Sequence, residues 1–200
     1  MLAMNYAVQH TESVSALILI SSAPPSYTVW NVLFDNQYAR RSSVELDSMI
    51  LLQKVFSSKT AKELDSLKVT NPTAPEVIAY RDFIALHVRA MYYDRSKISK
   101  QGLEDLFYSF NFQPIPWIDK EVVETKWDIT GHLKRIKIPA LIIYGRQDDQ
   151  GESTFYLQKE CLRYSEIHVI EQCGHNILNE QPQKFFKILM TYVKKNRTMP

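Results

Sequence analysis

Two strand-end turns hold the residues with the most chemical promise in this sequence. Asp148 sits in Gly145-Arg146-Gln147-Asp148-Asp149, and His175 in Cys173-Gly174-His175. A serine hydroxyl is a poor nucleophile until an imidazole takes its proton, and the imidazole in turn needs a carboxylate to fix its tautomer and stabilise its charged form. An aspartate after one strand and a histidine after the next lie where open α/β sheets build their sites, at the carboxyl ends of parallel strands. Plainer roles stand beside this one. Asp148 can be a turn aspartate bonded to its own backbone, with Asp149 its rival for any acid role, and His175 can be a loop histidine bonded to a carbonyl. The nucleophile itself is missing: a strained elbow needs G-x-S-x-G, and no two of Gly102, Gly131, Gly145, Gly151 and Gly174 are four apart.

Other chemistries find less support. None of His10, His87, His132, His168 and His175 forms an i, i+4 pair, and Cys161 and Cys173 have no C-x-x-C spacing, so no metal site is expected. The two cysteines read as small buried hydrophobes in a reducing, cytoplasmic compartment. There is no Gly-rich phosphate loop, so no cofactor is implied. With 24 Lys+Arg against 22 Asp+Glu the chain is too balanced for a nucleic-acid-binding face. The run Ala16 to Ile20 is far too short to span a bilayer, and the N-terminus lacks the charged region of a secretory signal, so no membrane is expected.

The two turns must be held by a core, and 200 residues at 45% hydrophobic supply one. Leu2 to Val8 reads as helix without an N-cap residue, and Val14-Ser15-Ala16-Leu17-Ile18-Leu19-Ile20 as a strand buried in a parallel sheet. From Pro25 to about Trp127 the pattern is all-helical, with breaks at Asn71-Pro72, Ala74-Pro75 and Gln113-Pro114-Ile115-Pro116. One helix starts near Pro75 and another spans about Gly102 to Phe110. A second strand covers Ile138 to Tyr144, then a helix runs from about Glu152 to Arg163. A third strand, Glu166 to Ile170, precedes a last helix from about Pro182 to Lys195. Strand, helix, strand, helix predicts parallel pairing with right-handed crossovers.

These stretches resemble the C-terminal part of an α/β-hydrolase, closest to proline iminopeptidase-like members that carry a helical cap. The resemblance rests on Leu2-Ala3-Met4-Asn5-Tyr6-Ala7 with Val14 to Leu19, on Ile138 to Asp148, and on Cys173-Gly174-His175 with Glu180-Gln181-Pro182. It implies an α/β fold with core residues 1–24 and 128–200 and a cap over 25–127. It also implies Asp148 as the orienting acid and His175 as the general base. The elbow of such enzymes directly precedes the helix that Met1 to Gln9 resembles, so the expected nucleophile lies upstream and the chain is expected to be truncated and inactive alone. The substrate implied is a small ester or a short peptide cleaved at its N-terminus.

An aminopeptidase would need a cap acid for the free amine, and Asp82, Glu104 and Asp105 are available. Trp30, Trp117, Trp127, Tyr92, Tyr93, Phe107 and Phe110 either line a pocket or pack the cap helices. Two further readings remain: a non-catalytic binding protein that uses the cap surface, and a hydrolase with an aspartate nucleophile, dehalogenase-like. Lys194-Lys195-Asn196-Arg197 reads as a basic helix end that suits the helix dipole. Without upstream strands, the strand ending at Ile20 would present an unpaired apolar edge and favour self-association.

Overall fold

The computed structural model describes residues 1–111 and 113–196; Arg197 of the basic end lies outside them. Among the described residues three parallel strands form one sheet in the order β1-β2-β3: β1 Leu17–Ile20, β2 Ala140–Gly145 and β3 Ser165–Ile170. Leu17 lies beside Ala140, and Ala140 beside Ser165. β1 and β2 start later than the apolar runs that contain them. Pro139 has no N–H to give, so the ladder opens where Leu17 N donates to the Pro139 carbonyl at 2.9 Å.

Helix α1 (Leu2–Gln9) precedes β1, and no side chain caps it. Between β1 and β2 the regular elements are helical: α2 Trp30–Ala39, α3 Ser43–Phe56, α4 Ala61–Thr70, α5 Pro75–Ala90, α6 Lys100–Ser109, α7 Pro114–Glu124 and α8 Thr130–Leu133. Capping boxes open two of them: Ser42 with Glu45 starts α3, and Thr60 with Glu63 starts α4. The Gln113-Pro114-Ile115-Pro116 stretch, expected as a break, is the first turn of α7. First-turn N–H groups have no intrahelical acceptor, so proline costs little there. α9 Gly151–Cys161 follows β2, and α10 Ile177–Glu180 and α11 Pro182–Asn196 follow β3.

Alternation along the strands separates two cores. Leu17, Leu19, Ala140, Ile142 and Tyr144 face α1, α8 and α9 through Met4, Leu133 and Phe155. Leu141, Ile143 and Ile170 face α11 through Phe185 and Tyr192. A third cluster joins the helices themselves, around Phe56, Val77, Tyr80 and Phe107. β2 is buried at every residue, as a central parallel strand requires. β1 corrects the expectation of burial on both faces: Leu17 and Leu19 are buried, whereas Ile18 and Ile20 are 37% and 40% exposed. Both share the face of Leu141 and Ile143, which α11 covers at β2 but leaves open at the edge.

Candidate active site

The site grows from two loops that touch. At the end of β2 the chain turns through Arg146 to Gln150 before α9 begins. Gly145 is required there because a Cβ would lie 2.2 Å from the carbonyls of Cys173 and Gly174. Gln147 laces the loops together, its N–H donating to the Cys173 carbonyl at 2.9 Å while its Oε1 accepts from Cys173 N at 3.1 Å. The second loop is pinned from two further sides. A Cβ on Gly174 would meet the Met91 carbonyl at 2.2 Å, and His175 N donates to that same carbonyl at 2.8 Å. The buried Glu180 carboxylate accepts from Gly174 N at 2.7 Å and from Asp94 N at 2.9 Å. Ser21, in the left-handed region at φ 43° just past β1, donates its hydroxyl to the His175 carbonyl at 3.0 Å.

This bracing brings Asp148 and His175 together. His175 Nδ1 stands 3.0 Å from Asp148 Oδ1 and 3.3 Å from Asp149 Oδ1, and both carboxylates are buried. Nδ1 carries one proton, and the shorter distance gives it to Asp148. Asp148 Oδ1 also accepts from Gln150 N at 3.0 Å, so the turn itself aims the carboxylate. Asp149 Oδ2 accepts from Gln37 Nε2 of α2 at 2.9 Å. Burial alone would lower the basicity of His175, but hydrogen bonds and charge from Asp148 and Asp149 outweigh it and raise its pKa to about 10. Burial would raise Asp149; His175 and Gln37 overcome that and hold it at about 2. Among the described residues nothing bonds His175 Nε2, the nitrogen that would face a nucleophile.

His175 lies at one end of a cavity of about 570 Å³ enclosed mainly by α5, α6 and α7. Its walls are mostly apolar, with Phe83, Ile84, Leu106, Phe110 and Ile115 among them, and among the described residues no Asp, Glu, Lys or Arg lines it. Asp82, Glu104 and Asp105 do not reach it. Asp82 pairs with Arg81 at 2.8 Å and shares a separate cavity with Glu104, while Asp105 accepts from Gln101 at 2.8 Å. Of the aromatic residues, Phe110 lines the large cavity and Phe107 is fully buried in the helical cluster. Trp127 packs on the sheet core and Trp117 is exposed. Cys161 and Cys173 are free and buried, and burial raises the Cys173 thiol to about 12, which leaves it a thiol at neutral pH.

Asp148, Asp149 and His175 also have their ligand atoms within 4.8 Å of one another. A cation there would have to displace the proton that Asp148 and His175 share. Nothing in sequence spacing marked Gln37, whose partner Asp149 lies far along the chain, and the resemblance included Glu180 without giving it a role. The two close-approach glycines were the available signal for where the loops meet.

No protein-family model matches the chain. Among curated proteins it is 22% identical over 190 residues to the monoacylglycerol lipase ABHD6 of Homo sapiens and 23% identical to that of Mus musculus. Each match covers 94% of this chain and 50% of the relative. The chain thus spans about half the length of the curated relatives it matches. Among solved structures it superposes on a proline iminopeptidase from Mycobacterium smegmatis with a TM-score of 0.61 at 16% identity, over 98% of this chain and 62% of that one. A meta-cleavage product hydrolase from Pseudomonas fluorescens superposes with a TM-score of 0.54 at 19% identity, over 97% and 61% of the two chains. Among the described residues no helix is long and apolar enough to cross a membrane.

Proposed function

From the α/β-hydrolase fold, whose C-terminal part this chain carries, we propose that the protein is a serine-type hydrolase of esters with an apolar acyl part. Asp148 serves as its orienting acid and His175 as its general base. The observation that carries this reading is the 3.0 Å contact between His175 Nδ1 and Asp148 Oδ1 with the ring's other nitrogen free at the end of an apolar cavity. In the reaction Asp148 holds the Nδ1–H tautomer, Nε2 takes the proton of the attacking hydroxyl, and the carboxylate stabilises the resulting imidazolium. Residues 25–127 act as a cap that closes the cavity and excludes water. The nucleophile and oxyanion donors come from residues that precede Met1 in a longer chain, and the 200 residues alone are inactive.

The ester reading is favoured over N-terminal peptide cleavage because among the described residues no carboxylate lines the cavity to meet a free α-ammonium group. The matched relatives' name, monoacylglycerol lipase, points the same way. The test is to translate the gene upstream of the Met1 codon, express the longer product and treat it with a fluorophosphonate probe. Labelling that disappears in His175→Gln supports the reading. Ester hydrolysis without labelling would replace serine with an aspartate nucleophile, and neither activity would leave a binding protein.

A further inference from the structure

The cavity wall opposite in character to His175 contains a second histidine. His87 lies on α5 among apolar lining residues, two turns after Tyr80 and one turn after Phe83. Its Nδ1 stands 3.0 Å from Arg41 Nη2. A guanidinium can only donate, so Nδ1 is the acceptor, and the proton of the neutral ring sits on Nε2. Arg41 is itself buried, and its Nη1 donates to the Gln37 carbonyl, so the guanidinium is not free to swing away. Burial and then the Arg41 charge hold the His87 imidazole down to about 4, against a smaller opposing pull from Asp149. At neutral pH the ring is therefore uncharged and in one tautomer. No group among the described residues accepts from Nε2.

A donor with fixed polarity on a mostly apolar wall costs free energy when nothing accepts from it. It also confers selectivity, since small-molecule sites orient apolar ligands with a few placed polar groups. We propose that His87 Nε2–H donates a hydrogen bond to an uncharged acceptor oxygen, carbonyl, ether or hydroxyl, on the apolar part of the substrate. The inference rests on the cavity being the substrate site and adds which substrates it prefers. An oxygen-bearing hydrocarbon fits better than a plain one, and a cation is disfavoured because His87 presents a donor backed by a guanidinium. Gln37 ties this donor to the reaction centre, because its carbonyl accepts from Arg41 and its Nε2 donates to Asp149 at 2.9 Å. The spacing between the recognised oxygen and the scissile carbonyl is thereby set.

The test uses two ligands of nearly equal shape, benzophenone and diphenylmethane, titrated calorimetrically into the 200-residue chain. Benzophenone is expected to bind His87→Phe about three- to tenfold more weakly than the unmodified chain, the worth of one neutral hydrogen bond. Diphenylmethane is expected to bind both equally or favour the variant. His87→Gln, whose amide can accept from Arg41 and donate to the ketone, is expected to restore most of the loss and guards against a folding defect in the phenylalanine variant. Equal benzophenone affinity in all three proteins, an equal loss for both ligands, or no binding of either would overturn the proposal. None of these readouts needs turnover, so a longer chain that neither reacts with fluorophosphonate nor hydrolyses esters would sink the hydrolase reading and leave this result standing.

Discussion

One cavity holds two histidines in opposite electrostatic surroundings. His175 has two buried carboxylates at 3.0 and 3.3 Å and is driven towards the charged form. His87 has burial and a guanidinium at 3.0 Å and is driven towards the neutral form. The same side chain is thus pushed at one end towards its charged form and at the other towards its neutral form. Environment assigns the role, which is why residue type alone says little about either.

The comparison breaks most visibly at the carboxylate end. Under the proposed function, Asp148→Asn in a protein that carries the nucleophile is expected to cut kcat by about 10⁴, because an amide no longer secures the Nδ1–H tautomer. Esterase assays of the variant check this, and retention of more than a tenth of the activity would give the acid role to Asp149. Next in size is the bracing of the loop. Gly174→Ala places a Cβ 2.2 Å from the Met91 carbonyl, and since backbone must move to admit it, a loss of about 3 kcal/mol is expected. Melting followed by circular dichroism should register a drop of about 5–10 °C, and an unchanged midpoint would show that the loop is not held against the end of α5.

The two histidines should also give stability opposite pH dependences. The pKa of His175 rises from 6.5 to about 10 on folding, so its contribution is complete below pH 6.5 and is lost as pH climbs through 10. The pKa of His87 falls from 6.5 to about 4, so its contribution is complete above pH 6.5 and is lost as pH drops through 4. Each limb is worth on the order of 2 kcal/mol after allowing for water in the cavity. Denaturant unfolding across pH should show His175→Gln flattening the alkaline limb alone and His87→Gln flattening the acid limb alone. If either variant flattened both limbs, the two rings would form one coupled unit rather than two independent ends.

What was legible in the sequence follows how local its cause was. The β-branched run of β2 and the proline that opens α5 are local signals, and the elements appear where the pattern puts them. The capping boxes at Ser42 and Thr60 are equally local but went unread in a region taken only as helical. The exposure of Ile18 and Ile20 was not legible, because it depends on how far α11 reaches across the sheet. The frame around the two histidines was not legible either. Gln37 meets Asp149 across 112 residues, Glu180 meets Asp94 N across 86, and Arg41 meets His87 across 46. Spacing along a chain carries no trace of contacts made by packing one element on another. Asp148 and His175 stood out only because each follows a strand, and strands bring their ends together.

The smallest effect bears on why His175 has two carboxylates when orientation needs one. Hydrogen bonds and charge from the two carboxylates favour the charged form of His175, whereas a general base works best with a pKa near the operating pH. Asp148 is bound to the turn through Gln150 N, while Asp149 is bound to α2 through Gln37. The first carboxylate is therefore fixed by the loop that aims it, and the second by a helix of the region between β1 and β2. Asp149→Asn removes a negative charge 3.3 Å from Nδ1 while its amide oxygen can still accept from Gln37, so the His175 pKa should fall by about one unit. Under the proposed function, the acid limb of kcat/KM in a protein that carries the nucleophile should move down in pH by the same amount, with the plateau rate kept within a few-fold. The His87 end should be nearly untouched: its pKa, followed by the imidazole proton resonances, should move little, because Asp149 acts on it less than burial and Arg41 do. A limb that stayed in place would mean that Asp149 is neutralised by its own surroundings and that His175 answers to Asp148 alone.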